Sequence, residues 1–500
     1  MCRNSRISSL ICVVVFVLSS FAEISFADEN DFNIDGMFEA ALDLPRVLFL
    51  LKRDPNEPAL EPIGGSEDPW DWDWDFDWDD IFGYDSFDMD DLFGDGLDLD
   101  IDLGLGNFEL NWAFLDTGVS SILLSKETAT LMGLEIDPNG QYVDPGVAGE
   151  EHFDISEPLY IGVADYDDPD AEDQSHYMLT GPYRAMIKQN EAEGLLAEPY
   201  DLLGMPVMFG KTVVFNTRAP SNLEYFTARI KEPNDPAIPE VDFEVPIRFE
   251  KYVMPNDPRQ IPPLPVLAYN PVIDDIIIED SNYASIGTFL FDTGGSISLI
   301  SEAQAMNLGL VDSNGVPIRE PDYSVPIGGI GEGDSVEVLG YIIDQLIVPT
   351  LNGYNLVYLN ARVGVLDISV LDEVTGEPIT LDGIFGSNFL VATMDMATWD
   401  LADTPFENVV LDTQRAVLGF DVNDIYILPP SIPTCGDVNN PWPQGDLNRD
   451  CSVDFLDMEI LTSQWLNECD WLNWNCSGAD LNFDGTVDNL DYSKLFIKEE

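Results

Sequence analysis

Apolar positions in this chain gather into short runs separated by proline, glycine, asparagine and aspartate, the punctuation of strands joined by tight turns. Residues 43–52, Asp-Leu-Pro-Arg-Val-Leu-Phe-Leu-Leu-Lys, predict a first strand, entered through Pro45 and left through Asp54-Pro55-Asn56. Residues 112–115 and 288–291 predict two more, each followed by a helical stretch ending at Met132-Gly133-Leu134 or Leu308-Gly309-Leu310, with glycine as the C-cap. Pro145-Gly146-Val147-Ala148-Gly149 and Ile327-Gly328-Gly329-Ile330-Gly331 are hairpin candidates with β-branched neighbours. Such a pattern predicts a mainly β core. One stretch departs from it. Between 67 and 102, Trp70, Trp72, Trp74, Phe76 and Trp78, then Leu97, Leu99 and Ile101, alternate with acidic residues. Period two suits a strand, but a face lined by aspartates repels itself, so the segment from about 62 to 104 reads as a low-complexity insertion without a fixed fold. An aromatic carbohydrate-contacting or adhesive surface is the sharper alternative.

The strongest signal is an internal repeat. Asp116-Thr117-Gly118-Val119-Ser120 leads through Leu123-Leu124 to Ser125, and Asp292-Thr293-Gly294-Gly295-Ser296 leads through Leu299-Ile300 to Ser301. Each copy follows an apolar strand and later reaches two large apolar residues and a glycine, Leu202-Leu203-Gly204 and Ile384-Phe385-Gly386. Two similar lobes follow from this order, 28–225 and 247–428, joined by a proline-rich linker at 226–246.

Composition narrows the partners. Of 500 residues, 45% are hydrophobic, enough for large cores, and 93 acidic against 21 basic side chains leave a net charge of −72. That field repels phosphate backbones and anionic membranes, which argues against nucleic acid as a partner. At the start, Arg3 and Arg6, an apolar run over 10–21 and Ser25-Phe26-Ala27 describe a signal peptide over 1–27, with export as its consequence. No later run is long enough to span a bilayer. Four of the six cysteines, Cys435, Cys451, Cys469 and Cys476, fall near the C-terminus. They predict two disulfides in a small exported module, with nearness favouring Cys469–Cys476 and Cys435–Cys451 among three connectivities.

The repeat also carries chemistry. Asp-Thr-Gly after an apolar strand, with a downstream apolar-apolar-Gly, resembles the active-site pattern of retropepsin-like and pepsin-like aspartic peptidases. Phe291-Asp292-Thr293-Gly294 with Ile384-Phe385-Gly386-Ser387-Asn388 is nearest the retropepsin form. The resemblance implies a bilobal acid-protease-like β-barrel fold with pseudo-two-fold symmetry. It further implies an aspartic endopeptidase in which Asp116 and Asp292 meet around a water, without a catalytic cofactor and with a polypeptide as substrate. Like charges about 3 Å apart cannot both ionise, so such a pair shares one proton. Gly118 and Gly294 would let the backbone turn beneath each carboxylate and donate amides to it. Thr117 and Thr293 would hold the loops together across the lobes, and Leu203-Gly204 and Phe385-Gly386 would pack behind them. Val119 and Gly295 depart from the family's usual small residue, Val119 is expected to crowd its loop, and neither hairpin candidate carries the tyrosine expected of pepsin-like enzymes. These departures, with the tryptophan–aspartate insertion, motivate the rival reading, a non-catalytic extracellular binding protein on the same scaffold. Other schemes lack parts: His152 and His176 stand apart in acidic surroundings and read as surface residues, and neither a Gly-x-Ser-x-Gly elbow nor His-Glu-x-x-His occurs.

From about 429 to 500 two twelve-residue acidic loops resemble the calcium loops of type I dockerins. The first offers Asp446, Asn448, Asp450, the Ser452 carbonyl, Asp454 and Asp457; the second offers Asp480, Asn482, Asp484, the Thr486 carbonyl, Asp488 and Asp491. Hard oxygen ligands at this spacing suit Ca2+, with EF-hand-like helices following, one over 457–466. Cys451 replaces the usual glycine at position 6 and weakens the first loop. The resemblance implies a cohesin-like or cell-surface scaffold as partner. Phe455, Leu456, Asn489 and Leu490 occupy the recognition positions in place of the common Ser-Thr pair.

Overall fold

The computed structural model describes most residues from Asp31 to Tyr426 and a subset between Gly445 and Leu495; the longest stretches outside the described residues are 1–30, 62–110, 190–199, 260–268, 328–335 and 427–444. The signal segment, the tryptophan–aspartate insertion and the tip of the second hairpin candidate therefore lie outside the described residues. The chain divides into two compact units, one holding residues 34–351 and 358–426, the other containing the C-terminal residues. Among the described residues no helix is long and apolar enough to cross a membrane.

The body is mainly β and contains two closed six-stranded barrels. The first is built from β1 (Arg46–Lys52), β2 (Asn111–Leu115), β3 (Ile122–Leu124), β5 (Gly149–Asp165), β6 (Met178–Lys188) and β7 (Leu202–Leu203), with β4 (Ile136–Gly146) paired to β5 outside the ring. Past it come β8 (Thr212–Asn216), β9 (Thr227–Lys231) and β10 (Phe243–Pro246). The second barrel comprises β11 (Asn270–Asp280), β12 (Tyr283–Asp292), β13 (Leu299–Ile300), β15 (Val336–Pro349), β16 (Asn355–Val365) and β17 (Gly383–Gly386), with β14 (Tyr323–Ile327) paired to β15. Strands β18 (Phe406–Asp412) and β19 (Val417–Val422) close the body.

The rings run in the same order, β1-β2-β7-β3-β6-β5 and β11-β12-β17-β13-β16-β15, each closing on itself. Their registers agree as well. The strand before each Asp-Thr-Gly runs parallel to its apolar-apolar-Gly strand, with Leu115 opposite Leu203 and Phe291 opposite Phe385. A sheet of order β10-β19-β18-β8-β9 joins the lobes, β8 pairing antiparallel with β18 so that Val214 faces Val410. Residues 226–246, read from sequence as a linker, thus supply two strands to the joining sheet.

Local signals explain the shared shape. Ser125 and Ser301 cap helices α1 (Lys126–Leu131) and α2 (Glu302–Asn307), their hydroxyls accepting the amides of Thr128 and Gln304. Gly133 and Gly309 follow with φ of 58° and 73°, the left-handed ending foreseen from sequence. Leu123, Tyr142, Phe153, Ile155, Met186 and Leu202 form the first lobe's apolar cluster; Val272, Leu290, Ile297, Leu299, Val338 and Ile384 belong to the second's. Each fully buried aliphatic or phenyl side chain contributes roughly 1.5–3 kcal/mol. Phe215 of the first lobe meets Phe291 of the second, which leads on to Phe385 and Phe389, so an apolar seam runs behind both Asp-Thr-Gly loops.

In the C-terminal module, α3 (Phe455–Ser463) and α4 (Asn489–Leu495) follow the two acidic loops. Leu461, Cys476, Ala479 and Val487 form its core, and a Cys469–Cys476 disulfide staples it. Cys435 and Cys451 lie outside the described residues.

Candidate active site

Strands β2 and β12 deliver Asp116 and Asp292 to the seam between the lobes, where both loops are tied first to each other. Thr117 Oγ1 donates to the Phe291 carbonyl at 2.7 Å and accepts the Thr293 amide at 3.0 Å. Thr293 Oγ1 donates to the Leu115 carbonyl at 2.8 Å and accepts the Thr117 amide at 3.1 Å. Both threonines are fully buried, so each bond is made where water cannot replace it. Such reciprocity fixes one loop against the other.

Glycine then brings the carboxyls together. A Cβ on Gly118 would stand 2.6 Å from Asp292 Cγ, and one on Gly294 would stand 2.2 Å from Asp116 Oδ2. Each glycine is therefore the floor on which the opposite lobe's carboxyl rests, and no side chain fits there. The two carboxyls are hydrogen-bonded to one another. Gly118 donates its amide to Asp116 Oδ1 at 2.8 Å. Gly294 and Gly295 donate to Asp292 Oδ1 at 2.9 and 3.1 Å.

Behind the loops, Leu203 and Phe385 are fully buried. Gly204 donates to the Ser121 carbonyl at 2.9 Å, and Gly386 donates to Ser298 Oγ at 2.9 Å. A Cβ on Gly204 would lie 2.1 Å from the Val119 carbonyl oxygen, and one on Gly386 would lie 2.6 Å from that of Ile297. Backbone thus packs on backbone, as the sequence motif implied. Val119 does not crowd its loop. Its side chain turns into the first lobe's apolar cluster, and its carbonyl accepts the Met205 amide at 2.9 Å.

Burial sets the electrostatics of the pair. Asp116 is pushed well above the usual carboxylate range by desolvation, then by the charge of Asp292 and the hydrogen bond to it, against the pull of the Gly118 and Val119 amides. Asp292 is raised too, by desolvation, but the hydrogen bond from Asp116 and the amides of Gly294, Gly295 and Gly118 pull it back. Both carboxyls are thus raised and coupled, and they give up their protons as a pair rather than as two independent acids.

Three buried residues near the loops carry no sequence signal of their own, two of them bonded to the Asp-Thr-Gly backbone and the third to the helix that follows the first loop. Asn270 Nδ2 reaches from the second lobe to the Thr117 and Gly118 carbonyls, both at 2.9 Å. Ser387 Oγ donates to the Thr293 carbonyl at 2.9 Å. Asp201, beside Leu202-Leu203-Gly204, accepts the Ser125 amide and the Thr128 hydroxyl, both at 2.7 Å, and burial raises it to about 6. Tyrosines do occupy the hairpin strands, Tyr142 on β4 and Tyr323 on β14, each packed against its own lobe's apolar cluster. His152 and His176 are exposed, as expected.

In the C-terminal module the second acidic loop is described almost throughout. Asp480 accepts the amides of Asp484 and Gly485 at 3.2 and 3.0 Å, and Asp491 accepts those of Asn482 and Asp488 at 3.0 and 2.8 Å. Gly485, at loop position 6, has φ 92°, the bend that glycine permits there. Asp480 and Asp491 are buried carboxylates held by neutral amides, a charge that a hard cation beside Asn482, Asp484 and the Thr486 carbonyl would balance. Of the first loop, Asp457 is buried and accepts the Leu447 amide at 2.6 Å, while Asp446, Asn448, Asp450, Ser452 and Asp454 lie outside the described residues.

Comparison with known proteins divides along the same line. No curated protein matches the chain. Residues 444–496 match the family model described as Dockerin type I domain, which accounts for the paired acidic loops and leaves the body to be read from its geometry.

Proposed function

We propose that the chain is a secreted aspartic endopeptidase that hydrolyses peptide bonds with a water activated between Asp116 and Asp292. The observation that carries the reading is the hydrogen-bonded carboxyl pair, one member from each lobe, each resting on the other loop's glycine. A separated pair would have favoured a binding protein; this one lies within hydrogen-bonding reach. Asp292, backed by amides, takes a proton from the water as it attacks. Asp116, assigned in this proposal as the protonated partner, donates to the scissile carbonyl oxygen. Collapse of the tetrahedral species expels the amine with a proton from the pair, and no acyl-enzyme forms. The substrate is a polypeptide laid across both barrels.

The dockerin-like module supports a place in an assembly outside the cell. Its second loop would hold Ca2+ through Asp480, Asn482, Asp484, the Thr486 carbonyl and Asp491, supplying charge balance that fixes the loop for docking. Its partner is a cohesin-type module on a scaffold, met through a surface on which Leu490 is 58% exposed.

The test is cleavage of an unfolded protein at mildly acid pH by the purified chain. Asp292→Asn and Asp116→Asn are each expected to lower the rate by about 10³-fold, because either change removes a proton-transfer partner. Activity unchanged in both variants removes the proposal.

A further inference from the structure

The two Asp-Thr-Gly loops are held by different hands. In the second lobe the Thr293 carbonyl is satisfied by Ser387, the residue following Gly386 on its own lobe. The matching residue after Gly204 in the first lobe is Met205, which has no side-chain donor to offer. Its place is taken by Asn270, the first residue of β11, which crosses from the second lobe and is 1% exposed. Asn270 also does more than Ser387, since its single amide group serves both the Thr117 and the Gly118 carbonyls. Two carbonyl acceptors fix the orientation of that amide, because the flipped form would set oxygen against oxygen.

Those carbonyls belong to the peptide units whose other ends hold Asp116. The Thr117 C=O shares a peptide with the Gly118 N–H, and the Gly118 C=O shares one with the Val119 N–H. The Gly118 N–H donates to Asp116 Oδ1 at 2.8 Å, and the Val119 N–H acts on the same carboxyl by lowering its pKa. A donor at the carbonyl end of a peptide polarises it and strengthens the N–H at the other end. We propose that Asn270 is a positioning residue for the reaction: by hydrogen-bonding two peptide units of the opposite lobe it orients Asp116 and sets the pH at which the pair gives up its shared proton. The mirror relay is shorter, Ser387 acting through the Thr293–Gly294 peptide on Asp292.

The charged groups facing the pair do not obscure the effect. Asp292 is the charge that acts on Asp116, and Asp201, behind β3 and β7, is turned to Ser125 and Thr128. The role assigned to Asn270 rests on the peptidase reading for its rate consequence, but not for its titration. Carboxyl-carbon NMR of the pair, assigned with Asp116→Asn and Asp292→Asn, reads the two titration steps without any cleavage. In Asn270→Ala the titration read at the Asp116 carboxyl carbon is expected to rise by about half to one pH unit, with the alkaline limb of kcat/KM moving alongside and the maximum falling about tenfold. In Ser387→Ala the titration read at the Asp292 carboxyl carbon rises instead. Should Asn270→Ala fail to fold, Ser387→Ala carries the same test on the other loop. A folded variant whose step stays in place overturns the inference; steps that move in a protein without peptidase activity remove the proposed function and leave the relay standing.

Discussion

Set side by side, the two lobes agree wherever backbone geometry decides and differ wherever a side chain reaches the back of a loop. Both close the same ring of strands, cap the same helix with serine, end it with a left-handed glycine, and lock threonine against threonine. They part at Val119 against Gly295, Met205 against Ser387, and Asp201 against Gly383. The shared features bring two carboxyls into one place; the unshared ones make them unequal. Two identical carboxyls would have no reason to divide the roles of acid and base. The two carboxyls differ in the surroundings of their loops, Asn270 behind one and Ser387 behind the other, rather than in the loops themselves.

The harshest way to break the comparison is to put a methyl group on either floor. Gly294→Ala would set Cβ 2.2 Å from Asp116 Oδ2, and Gly118→Ala would set it 2.6 Å from the Asp292 carboxyl carbon. Both are expected to abolish cleavage, by about 10³-fold or more, because the pair must separate to admit the methyl. Gly295→Ala is the control on the adjoining position. Its Cβ would come no nearer than 3.2 Å to Asp292, and its counterpart Val119 already carries a side chain, so a loss of tenfold or less is expected. Equal losses in Gly294→Ala and Gly295→Ala, measured as kcat/KM, would mean that the glycine floors do not set the spacing of the pair.

A gentler break removes one threonine at a time. Thr117 and Thr293 each make two cross-lobe hydrogen bonds of 2.7 to 3.1 Å, so Thr117→Ala and Thr293→Ala should each cost about 2 kcal/mol of stability. Because the two hydroxyls serve each other's amides, the double variant should lose clearly less than the sum of the singles in urea unfolding. Additive losses would show that the two loops are held independently.

Much of this frame was legible in the chain before any fold was known. Duplicated Asp-Thr-Gly, Ser125 and Ser301 as caps, and Gly133 and Gly309 as stops are local signals, because a cap or a left-handed turn is decided within a few residues. The Leu203-Gly204 and Phe385-Gly386 pairs were legible through repetition. Asn270 was not. Its work is done on carbonyls more than a hundred residues away, its own neighbours Tyr269 and Pro271 announce nothing, and the duplication hides it, since its partner in function is a serine elsewhere in the repeat. Strands β9 and β10 were missed for a related reason. The prolines between them read as a connection, whereas β10, with Pro246, is the edge strand of its sheet, where proline is tolerated.

Asp201 sharpens the comparison most finely, because the second lobe has Gly383 where the first has a buried carboxyl. Burial raises Asp201 to about 6 from an ordinary value near 3.8, against the amide and hydroxyl that hold it. A carboxyl whose folded pKa is raised favours the fold fully below its unfolded pKa. That contribution is lost as pH climbs from about 4 to about 6, and is gone above it. The span corresponds to roughly 2–3 kcal/mol at most. Asn at this position keeps the acceptor for Ser125 and cannot ionise. Urea unfolding of wild type and Asp201→Asn at pH 4 and pH 7 should therefore show the variant gaining on wild type as pH rises, with cleavage little changed, since Asp201 faces α1 rather than the pair. A constant difference between the two proteins across that range would place the pH sensitivity of the first lobe in Asp116 alone, and the asymmetry of the lobes would then reduce to what Asn270 and Met205 impose on a single loop.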